Sequence, residues 1–511
     1  MNLFKICETY LINYIKTNYI FTEISYMDIK SLIEKNSEEL KLFIESGKKI
    51  KICGWIKNIR KQPNIIFISI NDGSHTNNIQ CIIDINDNKQ IFNQLEDLTI
   101  GASLELKGIL RYPPETSKEV FEFNIHEIDF IGPINDKGGY LLSSKSRPKR
   151  EVLRNYQHIR PKTNMFSAIF KIRSNLMFAI HEYFNKNQYY HVDPNIITTS
   201  DCEGAGEVFR ITTIDPSNPP YKTENDKKII DWSKDFFKKE AYLTVSSQLQ
   251  LEAIASGLGK CYTTNPSFRA EKSNTSRHLA SFTHIEYELS FCDLNDLLDV
   301  SEEFIKYSIS YILKHNYKEL EFIDKFVTKD VIKRLNNYVD NPFIRLTYND
   351  AIDILSKAFN KNKLKIPKEE LPIWGDDLGS VCEKYLAEKH FGCPIMVYNY
   401  PKKLKSFYMK TDPNNPDIVQ SMDMLVPYIG ELIGSSVRED DEKILLQNMV
   451  DKNINRKPLE WYVDLRHNGT WKHAGGGLGF ERLVGMVLMD NQNFNIRDCM
   501  AFPVAYQECN Y

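Results

Sequence analysis

The spacing of hydrophobic positions changes along the first third of this 511-residue chain. Within residues 1–47 apolar residues recur every three to four positions, as in DIKSLIEKNSEELKLFIESGKK, which predicts an amphipathic helical segment ending at a glycine. From 48 to 132 they fall instead into five short runs rich in β-branched and aromatic residues, separated by turn signals such as NDGS and YPPE. Five strands at this spacing predict a small closed barrel.

A polar, basic segment follows the barrel at 133–162, and beyond it helix-like and strand-like stretches alternate to residue 511. Two long stretches have helical spacing: FSAIFKIRSNLMFAIHEYFNKN and LNDLLDVSEEFIKYSISYILKH. We therefore predict an α+β chain. It comprises a helical N-terminal extension at 1–47, a five-stranded barrel of the OB type at 48–132, a basic linker or hinge at 133–162 and a larger domain at 163–511.

Composition and charge exclude several classes of protein. Hydrophobic residues make up 42% of the chain and charged residues 26%, as in ordinary globular proteins, and no apolar run is long enough to cross a bilayer. The ten cysteines never form a C-x-x-C pair, which argues against a zinc framework or a disulfide scaffold and favours reduced thiols in a cytoplasmic protein. The net charge of −3 means that any nucleic-acid site must be a local feature.

The predicted barrel has a chemistry suited to nucleic acid. OB barrels bind single strands by stacking bases on aromatic rings that lie beside lysine and arginine. Our candidates are Arg60, Phe67 and Gln80. A lone phenylalanine such as Phe67 is more often a core residue, so this prediction depends on the whole barrel. The basic linker is either an ordinary solvated surface or a contact for phosphates.

In the larger domain, the segment CYTTNPSFRAEKSNTSRHLASFTHIEYELSF (261–291) has the pattern of a strand, a long polar loop and a second strand. Period-two alternation puts a ring, a histidine and two carboxylates on one face of the second strand: Phe282, His284, Glu286 and Glu288. In the first strand Arg269 and Glu271 share a face. One side of this hairpin is therefore apolar, and the other gathers charged groups.

A second cluster lies in SMDMLVPYIGELIGSSVRED (421–440). Asp423 and Glu431 are carboxylates in an apolar setting, a pair suited to a hard cation such as Mg²⁺ that bridges phosphates. Arg438 can grip a planar oxygen-bearing group. An unbroken strand would point Glu431 and Arg438 in opposite directions; a bulge at Gly434 is one way to align them, and the sequence leaves this open.

The stretch HAGGGLGFERLVGMVL (473–488) is rich in glycine. Gly475, Gly477 and Gly479 do not fit G-x-G-x-x-G, and the chain has no G-x-x-x-x-G-K-[ST], which disfavours a Rossmann or P-loop site. These glycines suit a strand whose bare backbone lies against a flat ligand, although tight helix–strand packing would also account for them. Arg482, at the start of the next helix, is placed to stack on a base or contact a phosphate.

Together, these segments resemble the class II aminoacyl-tRNA synthetases, in the subgroup with an N-terminal OB barrel. FRAEKSNTSRHLASF is similar to motif 2 with an asparaginyl-type loop, and GGGLGFERL is similar to motif 3. SDCEGAGEVF, LTVSSQLQLE and NIRDCMAFP are also similar in order and spacing, so the resemblance covers roughly 48–511. It implies a catalytic domain built on an antiparallel sheet flanked by helices, with an insertion at roughly 315–375, in a homodimer.

Some positions depart from the family pattern. Gln188 stands at the usual glycine of motif 1, and Pro194 lies one place early. Ser281 replaces a common glutamate, and Val504 replaces a common arginine.

By position, the resemblance also implies a role for each candidate residue, with Arg269, Arg482 and Glu431 as the catalytic group. The residues implied for ATP are Arg269, Glu271, Arg277, His278, Phe282, Glu431, Gly477, Gly479 and Arg482. Those implied for the amino acid are Glu203, Gln248, Glu286, Glu288, Ser435 and Arg438. Asp423 and Glu431 would hold Mg²⁺, and Arg60, Phe67 and Gln80 would bind the anticodon.

The choice of amino acid depends on fewer positions. Aspartyl members carry a lysine in the stretch S-x-Q-L-x-K, and here SSQLQL puts Leu251 at that place. A carboxamide suits Arg438 beside Glu286 and Glu288 better than a carboxylate, so we expect asparagine and tRNA-Asn as substrates, with no membrane partner. Three alternatives stay open: an aspartyl enzyme, including a non-discriminating one, a synthetase-derived asparagine synthetase, which should lack the barrel, and a non-enzymatic RNA-binding protein.

Overall fold

We describe the protein from a computed structural model, which describes residues 24–135, 140–143, 148–200, 207–490 and 494–511. The chain divides into two compact units, Met1–Asn155 and Tyr156–Tyr511. The division falls inside the segment predicted as a linker. Within the described ranges, no helix combines the length and the apolar character needed to cross a membrane.

The first unit is built around a closed five-stranded barrel. Its strands are β1 (Ile50–Lys61), β2 (Ile65–Asn71), β3 (Ile79–Asp84), β4 (Ser103–Arg111) and β5 (Glu122–Gly132), paired in the order β1-β2-β3-β5-β4. A helix, Lys89–Glu96, connects β3 to β4. Alternate residues of the strands fill the interior; in β2 these are Ile66, Ile68 and Ile70. The predicted barrel is confirmed.

The amphipathic segment before the barrel forms two helices rather than one. They span Ile29–Ile33 and Ser37–Glu45. Asp28 caps the first, and Asn36 caps the second in a capping box with Glu39, so the polar residues between them end one helix and begin the next. The part of the predicted helical extension at 1–23 lies outside the described residues.

The second unit contains a large, mainly antiparallel sheet. The strands of the second unit, in the large sheet and in smaller ones, are β6 (Tyr190–His191), β7 (Ile197–Thr198), β8 (Arg210–Ile211), β9 (Tyr221–Glu224), β10 (Lys227–Ile230), β11 (Ala241–Leu243), β12 (Lys260–Thr263), β13 (Pro266–Phe268), β14 (Ser281–Ser290), β15 (Ile344–Thr347), β16 (Ile395–Tyr398), β17 (Thr411–Asp412), β18 (Asn415–Val419), β19 (Ser421–Val426), β20 (Gly430–Val437) and β21 (His473–Gly479). The main sheet has the order β15-β16-β19-β20-β21-β14-β12-β6, with β13 on β14. Among the described strands of this sheet, only the edge pairs β15–β16 and β12–β6 are parallel.

Helices cover the apolar side of this sheet. The helices of the unit are Asn164–Lys186, Gln248–Leu258, Leu294–His315, Tyr317–Phe326, Val331–Asp340, Tyr348–Asn360, Gly379–Lys384, Glu442–Asp451, Glu460–His467 and Phe480–Leu488. Phe184 stacks on Tyr262 of β12 with ring centroids 4.5 Å apart and meets Phe304 at 5.1 Å. The two long helices therefore pack on each other and on the sheet, which leaves its opposite side to form a site.

Two expectations about this unit need correction. The first strand of the predicted hairpin is not continuous: β12 ends at Thr263 and β13 at Phe268, so Arg269 and Glu271 follow a strand instead of sharing its face. In the predicted basic linker, Arg160 is fully buried, and its Nη2 donates to the carbonyl of Arg497 at 2.9 Å. That arginine is a structural residue and not a phosphate contact.

Candidate active site

The glycines of β21 leave room for side chains of the two strands that pair with it, β14 and β20. Gly475 pairs with Glu288 of β14 and with Ser436 of β20. A Cβ at Gly475 would lie 1.9 Å from Glu288 Oε2, one at Gly476 would lie 2.7 Å from Ser435 Cβ, and one at Gly477 would lie 2.8 Å from His284 Nε2. The Cβ positions of Gly475 and Gly477 are thus taken by side chains that line the cavities, and that of Gly476 lies against Ser435 and Tyr287. Gly477 still lines both cavities, so the expectation of a flat ligand against this strand stays a prediction.

Gly479 differs from the other three glycines. A Cβ there would meet no atom nearer than Phe282 Cδ2 at 3.7 Å, and the Cγ of Arg482 would lie at 3.9 Å. A methyl group at Gly479 would thus fit between the ring of Phe282 and the aliphatic part of the Arg482 side chain. The expectation of a bare backbone beside a flat ligand stays a prediction for this position.

Two adjoining cavities lie over this part of the sheet, of about 140 Å³ and about 260 Å³. The smaller is lined by all nine candidate ATP residues: Arg269, Glu271, Arg277, His278, Phe282, Glu431, Gly477, Gly479 and Arg482. The larger is lined by Gln248, Glu286, Glu288, Asp423, Ser435 and Arg438. The cavities share Arg269, His284, Glu431, Gly434 and Gly477, so a ligand group in one would meet a ligand group in the other at Arg269.

The smaller cavity combines an aromatic ring with three arginines. Arg269 Cζ lies 5.6 Å from the ring centroid of Phe282, and Arg482 Nη1 donates to the carbonyl of Glu431 at 2.9 Å. Arg277 Nη2 is buried and has no hydrogen-bond partner among the residues described. Burial also lowers the pKa of the Arg277 guanidinium. A flat base with attached phosphates has the shape and the charge that these groups would satisfy.

Neutral histidines complete the walls of the smaller cavity. Burial, with help from Arg269 and Arg482, lowers the pKa of His284 to about 3, and its Nδ1 lies 3.0 Å from Ser267 Oγ. Burial likewise lowers the pKa of His278. Arginines therefore supply the positive charge of this cavity.

A bulge in β20 brings Glu431 and Arg438 to the same side of the sheet. Along the β19–β20 pair, Met424 faces Ile433 while Leu425 faces Glu431, which leaves Leu432 as the extra residue. The bulge is thus at Leu432 and not at Gly434, and it reverses the alternation so that Glu431 and Arg438 both line the larger cavity.

The two carboxylates at this place have the chemistry of a magnesium site. The Cβ position built on Gly434 is 3.0 Å from Glu431 Oε1 and 4.0 Å from Asp423 Oδ1, so both oxygens converge on one region. Burial and the charge of Glu431 raise the pKa of Asp423, although Lys405 opposes them. Burial would raise the pKa of Glu431 too, but Arg482, Lys405 and Arg269 outweigh it and lower that pKa. Closely placed carboxylate oxygens fit a hard cation.

The larger cavity has a buried ion pair at its end. Arg438 donates to Glu288 from Nη2 at 2.9 Å and from Nε at 3.1 Å, and its Nη1 donates to Ser436 Oγ at 2.8 Å. Glu286 accepts from Ser246 Oγ and, at 2.9 Å, from the backbone N–H of Ser247. Burial raises the pKa of Glu286. Of the amino-acid candidates, Glu203 lies outside the described residues.

Several residues of the site were missed by the sequence analysis. Lys405 pairs with Asp423, and Glu383 is a half-buried residue whose carboxyl pKa is raised to about 7 by desolvation and by the charge of Glu431. Behind the larger cavity, Glu252 binds Arg466 and His473. The sequence feature that could have indicated these residues is an ionisable residue in an apolar segment, such as Glu252 after QLQL.

The residues that depart from the family pattern lie at an unusual backbone conformation and in one β-bridge. Gln188 has φ +64°, a left-handed conformation that costs little only for glycine. Ser281 and Val504 lie opposite each other in an antiparallel bridge, so the two unusual residues occupy neighbouring positions.

In the first unit the anticodon candidates lie on the barrel strands. Phe67 of β2 is half-buried between the core residues Ile66 and Ile68, and the guanidinium of Arg60 lies 4.4 Å from its ring centroid. Gln80 Nε2 donates to Glu122 Oε1 at 2.7 Å. Arg60 faces Phe67 across the β1–β2 pair. The three candidates are thus on adjacent strands of one barrel, and Phe67 is not part of its core.

Family models match both units of the chain. Residues 50–129 match the model described as OB-fold nucleic acid binding domain, and residues 149–506 match the model described as tRNA synthetases class II (D, K and N). The fold and the site thus define a class II aminoacyl-tRNA synthetase with an OB barrel. An asparagine–tRNA ligase of Clostridium tetani is 43% identical over 89% of this chain and 95% of its own length. The chain belongs to the asparagine–tRNA ligase family.

Other comparisons agree with this assignment. An asparagine–tRNA ligase of Acholeplasma laidlawii is 41% identical over 90% of this chain and 95% of its own length. Among solved structures, asparaginyl-tRNA synthetase from Pyrococcus horikoshii, complexed with asparaginyl-adenylate, superposes with a TM-score of 0.76. It is 34% identical, and the match covers 90% of this chain and 95% of that one.

Proposed function

We propose that this protein activates L-asparagine with ATP to asparaginyl-adenylate and transfers the asparaginyl group to the 3′-hydroxyl of tRNA-Asn. The observation that carries this proposal is the junction of the two cavities at Arg269. The reaction joins an amino-acid carboxylate to the α-phosphate of ATP. It therefore needs an amino-acid pocket and a nucleotide pocket that meet at a positively charged group.

The smaller cavity is the proposed site of ATP. The adenine base would lie between the ring of Phe282 and Arg482, with Glu271 accepting from its amino group. Arg277, with its buried Nη2, would meet the outer phosphates. Asp423 and Glu431 would hold Mg²⁺, which when bound neutralises phosphate charge and orients the leaving pyrophosphate.

The chemical step needs no general base because the attacking carboxylate of asparagine is already an anion. Arg269 would neutralise the charge that develops on the α-phosphate as the carboxylate attacks in line and pyrophosphate leaves. His284, whose pKa is lowered to about 3 by burial, would be a weak base, which fits a step in which no proton has to be removed.

The larger cavity favours a carboxamide over a carboxylate. Arg438 is already paired with Glu288 in a fully buried contact, and Glu286 lies nearby. An asparagine side chain would accept from Arg438 through its C=O and donate to a glutamate through its NH₂. An aspartate would place a third carboxylate beside Glu286 and Glu288, in a desolvated pocket with leucine rather than lysine at position 251, a mismatch of about 2–4 kcal/mol.

We also propose a tRNA partner, a homodimer and a cytoplasmic location. Arg60 and Phe67 would stack on anticodon bases, with Gln80 beside them. The exposed rings of Phe178 and Tyr190 lie in and just after the helix Asn164–Lys186, where this class builds its dimer interface, and each is 58% exposed in the single chain. Large exposed rings favour a partner surface.

Pyrophosphate exchange into ATP tests the proposed activity. Wild-type protein should catalyse exchange with asparagine at least about 100-fold better than with aspartate, measured as kcat/KM. Arg269→Ala should abolish exchange while its circular dichroism and melting temperature stay near those of the wild type. Exchange driven by aspartate alone would instead assign the protein to the aspartyl enzymes, and exchange with neither amino acid would refute the proposed activity.

A further inference from the structure

A buried polar network centred on Glu252 lies behind the larger cavity. Glu252 belongs to the helix Gln248–Leu258, directly after Leu251. It is fully buried and does not line the cavity, but two of its neighbours, Gln248 and Arg438, do. A carboxylate without access to water must be stabilised by bonded partners, because its desolvation costs several kcal/mol.

Each oxygen of Glu252 has its own partners. Oε1 accepts from Gln248 Nε2 at 3.0 Å and lies 3.8 Å from Arg438 Nε. Oε2 accepts from Arg466 Nη2 at 2.7 Å, from the Tyr462 hydroxyl at 2.8 Å and from His473 Nε2 at 3.0 Å. One carboxylate thus connects the two walls of the amino-acid pocket to a second set of buried cations.

The network has a definite charge balance. His473 Nδ1 lies 2.9 Å from the carbonyl oxygen of Trp471, and its Nε2 faces the Glu252 carboxylate, so both ring nitrogens meet acceptors and both must carry protons to bond. Arg438 pairs with Glu288, while Arg466 and His473 both pair with Glu252. Without the charge of Glu252, Arg466 and His473 would lose their counter-ion in this network.

A metal ion does not account for this cluster. Ligand atoms of Glu252, Glu288 and His473 lie within 4.8 Å of one another. However, Arg438 and Arg466 already bind the two carboxylates at 2.9 Å and 2.7 Å, and a divalent cation would have to displace both guanidinium groups. The arginines serve as the counter-ions of this cluster.

We propose that Glu252 is a positioning residue that sets the choice of a carboxamide over a carboxylate. Its charge balances Arg466 and His473, so Arg438 remains paired with Glu288 and is not available to neutralise a carboxylate in the substrate side chain. Its Oε1 accepts from Gln248 and so holds that side chain on the opposite wall of the larger cavity. This inference rests on the proposed function, and it adds a residue that touches no substrate.

Two substitutions with opposite effects test this proposal. Glu252→Gln removes one negative charge and should leave the pocket with a surplus cation, so the ratio of kcat/KM for asparagine to that for aspartate should fall roughly tenfold or more. His473→Gln removes one positive charge but keeps a donor near Glu252, so the same ratio should rise. In both variants KM for ATP should change less than about threefold, because the nucleotide cavity is untouched.

Glu442→Gln is the matched control for these variants. Glu442 also pairs with a histidine, at 3.1 Å from His467 Nδ1, but it lies near the surface and away from both cavities. The ratio of kcat/KM for asparagine to that for aspartate in Glu442→Gln should equal that of the wild type. If Glu252→Gln does not fold, His473→Gln still decides the question through the sign of its change. A ratio that is unchanged, or that moves the same way in both variants, would overturn the proposal. Absence of asparagine-driven exchange in the wild type would instead refute the proposed function.

Discussion

Replacing Gly475 with alanine would disturb the amino-acid pocket through the backbone of β21. The new Cβ would lie 1.9 Å from Glu288 Oε2 and 2.4 Å from the carbonyl oxygen of Tyr287. Ordinary contacts of a Cβ begin at about 3.4 Å, so the Glu288 carboxylate would have to move by roughly 1.5 Å. Its bond to Arg438 Nη2 is 2.9 Å long and would break.

The expected loss follows from these two effects. Overpacking in a closed interior costs about 1–3 kcal/mol, and leaving one partner of a buried ion pair uncompensated costs about 3–5 kcal/mol. Partial relief by movement of β21 would reduce the sum, so we expect Gly475→Ala to destabilise the protein by about 3 kcal/mol or more. KM for asparagine should rise at least about tenfold because Arg438 loses its orientation.

Gly479→Ala provides the control on the same strand. Its Cβ would have only ordinary contacts, the nearest at 3.7 Å, so stability should change by less than about 1 kcal/mol. Because Gly479 lines the nucleotide cavity, KM for ATP should rise and KM for asparagine should not. Urea titration followed by tryptophan fluorescence, with pyrophosphate exchange, measures both effects. Equal stability of the two variants would refute the reasoning on close approach.

Three further predictions concern other parts of the chain. Burial raises the pKa of Glu383 from 4.5 to about 7, so the folded state holds a proton that the unfolded state releases, and stability should fall as pH rises across that window. Glu383→Gln should remove most of that fall, roughly 2–3 kcal/mol, in melting experiments at pH 5 and pH 8; an unchanged pH profile would contradict this. Gln188→Gly should stabilise the protein by about 0.5–1 kcal/mol by relieving a left-handed backbone, and a lower melting temperature would count against it. Phe67→Ala should raise KM for tRNA about tenfold in aminoacylation while exchange without tRNA is unchanged, and a normal KM would remove Phe67 from the anticodon site.

Local patterns predicted the elements of this fold well where the signal was complete within one segment. The helix Leu294–His315 has the bounds expected from its apolar spacing, and Asp293 supplies its capping box. The alternation in β14 likewise placed Glu286 and Glu288 on the side of the site and Tyr287 on the opposite side. Such features depend only on neighbouring residues.

Features that depend on register or on distant partners could not be predicted in the same way. The bulge at Leu432 is defined by its pairing with β19, and a single strand does not reveal which residue lacks a partner. Glu252 meets Arg466 and His473 across more than 200 positions, so no local pattern indicated the network. The break after Thr263 lies at Thr264 and Asn265, between two segments that both pair with β14.

Arg269 and Arg482 line one cavity, which we propose for the nucleotide, and this cavity adjoins the pocket that we propose for an uncharged amide. A crystal structure with a non-hydrolysable sulfamoyl analogue of asparaginyl-adenylate would test this arrangement. We expect the adenine between Phe282 and Arg482, the sulfamoyl group beside Arg269 and the carboxamide facing Arg438. An analogue bound with its base or its amide outside these two cavities would contradict it.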